Sequence, residues 1–332
     1  MYHEKLQNVE NDPVWYSNPQ NYSLIPFPFV YPNIPERFSL KNGFFQYMGR
    51  EVFQKVYDDV RLLRLGSEYT KLYIHGTMGY GKSYILAALA CLLYREGKRV
   101  VFIPDCRALL GQSIPYIKTA LLCAFADPSL EKQREQIRAC TSEDEIDAFC
   151  HGLDDTLYFI VDQINAFELS PPNTDAISED EKRACNSFIT RLGLGNLTIT
   201  SASANYETSL HMDQKQNNER KIPMMGGMTV VSASICPSVH FNDLYGIQEE
   251  MKWWWAHHEG NLPTLDEFGT VKIEDLTGRI PLLLRPLLQF SQQDFDEVEN
   301  DFLTSPEIDT VRTNIIKFAE DRRSQGVMEY NE

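Results

Sequence analysis

Short, continuous apolar runs divide the chain: Leu72-Tyr73-Ile74 within Lys71–His75, Val100 to Ile103 after Arg99, Leu157 to Asp162, Leu197 to Ser201 and Met228 to Ser232. Runs of this kind, without polar alternation, are the pattern of strands covered on both faces. Between them the spacing turns helical. Val52, Phe53, Val56, Val60 and Leu63 share one side of a helix over 50–63, a second helix runs from Ser83 to Tyr94 and stops at Gly97, and a helical region covers about 114–150. Strands alternating with helices predict a three-layer α/β sandwich around a mainly parallel five-stranded sheet, with active residues at the carboxyl ends of the strands. That domain is expected to cover residues 41–240. From 241 to 332 only helical segments are expected, Ile247 to His258, Ile280 to Phe290 and Pro306 to Arg323, forming a C-terminal subdomain or lid. Residues 1–40 are rich in Pro, Asn and Tyr and include Ile25-Pro26-Phe27-Pro28-Phe29-Val30-Tyr31-Pro32; this predicts an extended arm with its aromatics on the domain surface.

The segment between the first strand and its helix carries the chemistry. Gly76-Thr77-Met78-Gly79-Tyr80-Gly81-Lys82-Ser83 is a complete G-x-x-x-x-G-K-[ST] phosphate-binding loop. Its glycines let backbone N–H groups surround phosphate oxygens, and the helix that follows points its positive end at them. Lys82 is expected to reach the outer phosphates and Ser83 to ligate Mg²⁺. A second oxygen ligand is expected from an acid at the end of another buried strand, and Asp162 fits. Hydrolysis also needs a group that orients or deprotonates water. The next residue is Gln163, whose amide orients water but accepts no proton, and Glu168 is an outside candidate for the base. Thr200-Ser201-Ala202-Ser203-Ala204-Asn205 places small polar groups at the end of the fourth strand, suited either to the terminal phosphate and attacking water or to turn and capping roles.

Charge narrows the partners. The 31 basic and 47 acidic residues give a formal charge of −16, which opposes binding to nucleic acid or anionic membrane. Arg183, Arg191, Lys215, Arg220 and Lys221 are dispersed among acids and read as solvated surface, although a cation at 220–221 is within the range of roles that reach a terminal phosphate or a neighbouring subunit. The seven cysteines are widely spaced and form no C-x-x-C pair, which implies buried thiols in a reducing compartment and no zinc site. The N-terminal residues show no secretory pattern and no apolar run is of membrane-spanning length, so an intracellular location, cytoplasmic or nuclear, is expected. The helix carrying Trp253-Trp254-Trp255 reads as packed, with one tryptophan partly exposed, and the adjacent His257 and His258 diverge too far on a helix to share a metal.

Two further segments support a resemblance. Tyr47-Met48-Gly49-Arg50-Glu51 resembles the segment that lies beside adenine in the AAA+ and STAND branch of P-loop ATPases. Thr277-Gly278-Arg279-Ile280-Pro281-Leu282 resembles the Gly-x-Pro element of that branch, in which a helical subdomain closes over the nucleotide. Within the branch, Asp162-Gln163, Gly226-Gly227-Met228 and the stretch from Tyr245 to Trp254 are similar to the ATPase module of Crinkler effector and retrotransposon hot spot proteins. The resemblance implies ATP with Mg²⁺, bound by Gly49, Arg50, the loop Gly76 to Ser83, Tyr84 and Pro281, and a protein partner or self-association. Relatives pair the module with a ubiquitin-like header or a nuclease. Here residues 1–40 are too short and proline-rich for such a header, and no nuclease is expected after residue 330. Adenine follows from the resemblance, there being no Asn-Lys-x-Asp element after the fourth strand. The expected activity is slow or regulated ATP hydrolysis that drives a conformational switch. The alternatives are an interaction switch with almost no hydrolysis and, ranked last, a small-molecule kinase.

Overall fold

Residues 2–30, 34–66, 69–76, 78–168, 177–202, 219–224 and 250–313 are described by a computed structural model. They divide between two units, Met1–Met225 and Gly226–Glu332.

In the first unit, α1 (Tyr2–Gln7), α2 (Pro13–Ser17) and β1 (Tyr22–Pro26) lead to β2 (Phe44–Met48), which pairs antiparallel with β1. The helix α3 (Val52–Leu62) precedes β3 (Lys71–Gly76), the strand that delivers the glycine loop to α4 (Lys82–Arg95). Then come β4 (Arg99–Ile103), α5 (Ser113–Ala124), α6 (Glu131–Ala139), α7 (Glu143–His151), β5 (Leu157–Val161), α8 (Glu179–Leu192), β6 (Leu197–Ser201) and β7 (Glu219–Met224). The sheet order is β4-β5-β6-β3-β7, every pair parallel, with Lys71 opposite both Thr198 and Glu219 and Ile103 opposite Val161. Four strands therefore match the apolar runs. The neighbour on the far side of β3 is Glu219–Met224, a segment without an apolar run, and the expected strand Met228–Ser232 lies outside the described residues. Among the described residues β7 pairs with β3 alone, and a strand paired on one side tolerates a proline such as Pro223.

The first forty residues differ from the expected surface arm. Every residue of α4 from Ile85 to Tyr94 is buried, and a helix apolar on all sides needs cover beyond the one face a sheet provides. The N-terminal segment supplies it. Leu6, Tyr16, Ile25, Phe27, Phe29 and Phe38 are all buried in the same core as α4, and polar contacts fasten them there. His3 Nδ1 lies 2.9 Å from Tyr94 Oη, Arg95 donates to Gln7 at 2.9 Å, and Cys91 Sγ donates to the Pro26 carbonyl at 3.2 Å. Prolines limited the length of regular elements here, and the aromatics between them carried the packing: Phe27 and Phe38 meet at 4.5 Å between ring centres, and Tyr16 stacks on Phe53 at 5.1 Å. Six cysteines among the described residues are free and buried, and Cys236 lies outside them.

The second unit contains helices Glu250–His258, Glu267–Thr277, Pro281–Leu284 and Phe295–Leu303, and residues 306–313 are also helical. Glu267–Thr277 and Phe295–Leu303 had no place among the expected segments; their starts are set by Asp266 and Asp294, whose carboxylates accept from Gly269 N–H at 2.6 Å and Asp296 N–H at 3.0 Å. Trp254 is buried and stacks on His258 at 4.7 Å, and Trp255 donates to Glu274 at 2.9 Å, consistent with a packed tryptophan helix. No helix among the described residues is long and apolar enough to cross a membrane.

Candidate functional site

The loop leaves the carboxyl end of β3, where Gly76, Gly79 and Gly81 take φ of 137°, 81° and 103°. Gly81 occupies the position before α4 in a left-handed conformation, so no side chain caps the helix and its first N–H groups face the loop. Met78 is exposed, Tyr80 is buried, Ser83 and Tyr84 are half-buried, and Thr77 lies outside the described residues.

Lys82 is buried, and its Nζ donates to the Gly76 carbonyl at 2.9 Å. Burial lowers its pKa from 10.5 to about 8, and the negative charge of Asp162 works against that shift. The lysine is thus held on the first glycine of the motif and feels the charge of the acid at β5's end, a state from which a phosphate oxygen would be a stronger acceptor than a carbonyl.

Asp162 is 1% exposed and fully engaged. Its Oδ1 accepts from Ser201 Oγ and from the Gln163 N–H at 2.9 Å, and its Oδ2 accepts from Arg37 at 3.2 Å. The sheet order explains the serine. Because β6 lies between β3 and β5, its carboxyl end, Ser201, falls beside the acid. Of the polar cluster expected there, Thr200 Oγ1 bonds the Leu72 carbonyl at 3.5 Å, and Ser203, Ala204 and Asn205 lie outside the described residues.

Gln163 takes φ 61° and ψ 45°, a left-handed conformation that costs a non-glycine residue about 1–2 kcal/mol. Its carboxyl neighbour turn, Ile164–Phe167, leads to Glu168, whose carbonyl accepts from the buried Lys182 at 3.1 Å. The structure therefore joins Asp162 and Gln163 by a hydrogen bond and sets Lys82 within the electrostatic reach of Asp162, while Glu168 sits one turn beyond Gln163.

Arg50 is buried against the loop: Nη1 donates to the Tyr80 carbonyl at 2.7 Å, and the guanidinium lies 4.6 Å over the Tyr80 ring. Gly49 donates to the Asn21 carbonyl at 2.9 Å, and a Cβ on it would stand 2.1 Å from the Asn18 carbonyl oxygen. Pro281 opens the short helix Pro281–Leu284 in the second unit. Arg220, a candidate for phosphate or a neighbouring subunit, is instead committed within β7's packing, where it pairs with Asp59 of α3 through an Nε contact of 2.9 Å.

Arg37 was not singled out from the sequence. It lies in the turn Glu36–Phe38 and spans the carboxyl ends of two strands, meeting Asp162 after β5 and, after β4, the Pro104 carbonyl and Asp105 Oδ2 at 3.3 Å. Tyr84, two residues after Lys82, donates to the Arg37 carbonyl at 2.7 Å, tying that turn to α4.

The donor set suits magnesium. A serine hydroxyl and a carboxylate are hard oxygens, and Mg²⁺ bound with a nucleotide is held by one or two such groups together with phosphates and water. Among the described residues there is no cluster of three or more His, Cys, Asp or Glu that would hold a metal by protein ligands alone.

No known protein family matches the chain, and no curated protein does. Among solved structures it is similar to ORC2 of Aeropyrum pernix in ADPNP-ADP complexes, at 15% identity over 60% of this chain and 50% of that one, with a TM-score of 0.33. It is also similar to a chain of the HORMA:CdnC:Trip13 complex of E. coli MS115-1 (12% identity, 68% and 69% of the two chains, TM-score 0.31) and to PCH-2 of C. elegans (12%, 58% and 44%, 0.28). The chain spans half the length of the ORC2 chain. Likenesses of this size add nothing to what the geometry itself displays, which is a P-loop type of α/β fold with its glycine loop, lysine and strand-end acid together.

Proposed function

We propose that the chain binds ATP with Mg²⁺ at the loop Gly76 to Ser83 and hydrolyses it slowly, using the nucleotide to switch conformation. The observation that carries this reading is the position of Lys82, buried on the Gly76 carbonyl of a glycine loop and within the electrostatic reach of Asp162. A buried ammonium held on a weak neutral acceptor is poised to exchange it for a phosphate oxygen, and the added negative charge would offset the burial and hold the lysine in its charged form.

The other residues have assignable work. Ser83 and Asp162 would hold Mg²⁺, which when bound neutralises charge on the phosphates. Ser201 and the Gln163 N–H hold Asp162 in one orientation. The Gln163 amide would orient the attacking water without taking its proton, which favours slow turnover. Adenine, the link to the Crinkler and retrotransposon hot spot ATPase module, and a nucleotide-facing role for Pro281 rest on the resemblance alone. A protein partner or a second copy would read the switch. The second reading, an interaction switch with almost no hydrolysis, is favoured by the same glutamine.

Thermal melting with and without Mg-ATP tests binding, since a ligand of the folded state alone must raise the midpoint. The wild type should shift and Lys82→Ala should not, while both keep the same fold by circular dichroism. Equal shifts in the two proteins would remove Lys82 from the site. Single-turnover phosphate release then separates slow hydrolysis from none.

A further inference from the structure

We infer that Arg37 is a tethered counter-cation that occupies the outer oxygen of Asp162 when no metal is bound and must release it for Mg²⁺ to bind with nucleotide. The inference rests on the nucleotide reading above and adds a control element to it.

The argument starts from the carboxylate. Oδ1 of Asp162 is saturated by two internal donors, the Ser201 hydroxyl and the Gln163 N–H. Oδ2 is the oxygen left for a metal or its water shell, and the Arg37 guanidinium lies on it at 3.2 Å. A guanidinium and a hydrated dication cannot share that oxygen without mutual repulsion, so the two compete. Asp162 is almost inaccessible while Arg37 is 26% exposed, which places the exchange on the solvent side of the acid.

Release need not unfold anything. The same guanidinium holds Asp105 Oδ2 and the Pro104 carbonyl, so it can give up Asp162 while staying anchored at the end of β4. Its backbone is equally fixed, through Tyr84 on α4 and through Phe38, which is 1% exposed against Phe27 and Tyr84. The side chain therefore swings on a held turn. The turn itself is closed by N–H bonds from Phe38 to the Pro35 carbonyl and from Ser39 to the Glu36 carbonyl at 3.1 and 2.9 Å.

The test is a Mg²⁺ titration of fluorescent ADP binding to the full chain. Arg37→Gln should lower the half-saturating Mg²⁺ concentration by about tenfold, the size of a charge-assisted hydrogen bond no longer in competition. Arg37→Lys, which keeps the charge without the fork, should shift it less. An unchanged or higher requirement in Arg37→Gln overturns the inference, since a merely structural arginine would not ease metal binding when removed. Should both variants fail to fold, nitrogen-15 NMR of the wild-type Arg37 guanidinium decides: a shifted Nε–H resonance on adding Mg²⁺ to the ADP complex supports release, and an unmoved one overturns it. Failure of the wild type to bind ADP, with or without Mg²⁺, would sink the nucleotide reading itself and this inference with it.

Discussion

Arg50 holds Tyr80 twice, by a 2.7 Å hydrogen bond to its carbonyl and by a guanidinium 4.6 Å over its ring, so a residue two positions before α3 fixes the middle of the glycine loop. Arg50→Ala should cost about 1–3 kcal/mol for the buried charge-assisted bond, with a further loss of about 1–2 kcal/mol for the stacked cation. Urea unfolding reads the loss, and calorimetry should show weaker nucleotide binding. Arg50→Lys should recover little of either, because an ammonium does not stack and donate in the same plane. Wild-type stability in Arg50→Ala would show that the loop holds its own shape.

The second prediction concerns pH. Lys82 has its pKa lowered to about 8 in the folded chain against 10.5 in the unfolded one, so between those values the unfolded state binds more protons. Folding stability attributable to this residue therefore rises as pH increases from about 8 to 10.5, while nucleotide affinity falls as the ammonium is lost. Comparing the wild type with Lys82→Met at each pH isolates the effect from the buried tyrosines and thiols, whose raised pKa values act in the opposite sense. Parallel curves for the two proteins would mean that Lys82 titrates normally.

Gly49 is pressed onto the backbone of Asn18. A methyl group there would meet the Asn18 carbonyl oxygen at 2.1 Å and its carbon at 2.5 Å, atoms that cannot turn aside as a side chain can. Gly49→Ala is expected to lose about 1–3 kcal/mol or more, by the ordinary cost of overpacking. A lowered urea midpoint with an unchanged slope would be the signature. An unaffected midpoint would mean that the N-terminal segment is loosely applied.

Gln163 allows a test of strain and chemistry together. Gln163→Gly relieves a left-handed conformation worth about 1–2 kcal/mol and loses about 0.5–1 kcal/mol to chain entropy. Its stability should thus be equal to the wild type or slightly higher. Gln163→Glu should raise single-turnover phosphate release, with about 10²–10⁴-fold as the upper range of a general base. If Glu168 is the base instead, Glu168→Gln eliminates release and Gln163→Glu does little.

The sequence made the loop and four strands of its sheet legible because each is local: a contiguous motif, or an apolar run whose burial follows from composition. Glu219–Met224 was hidden because it carries no apolar run, and its Arg220 is neutralised by Asp59, 161 residues earlier in the chain. Arg37 was hidden for a related reason, its partner Asp162 lying 125 residues away behind a proline-rich stretch that reads as surface. The burial of that stretch was implied by α4, whose unbroken apolar sequence requires more cover than a sheet face offers.

The order of the strands also bears on how the chain is made. β3 has β6 and β7 as its neighbours, so the strand that carries the phosphate loop has nothing to pair with until residues 197–224 have been synthesised. A ribosome adding about 5–20 residues per second would leave Leu72, Tyr73 and Ile74 without their sheet for several seconds or more. Truncated or stalled chains ending before β6 would thus display a bare apolar strand and bind no nucleotide, making them natural clients for chaperones and prone to aggregate.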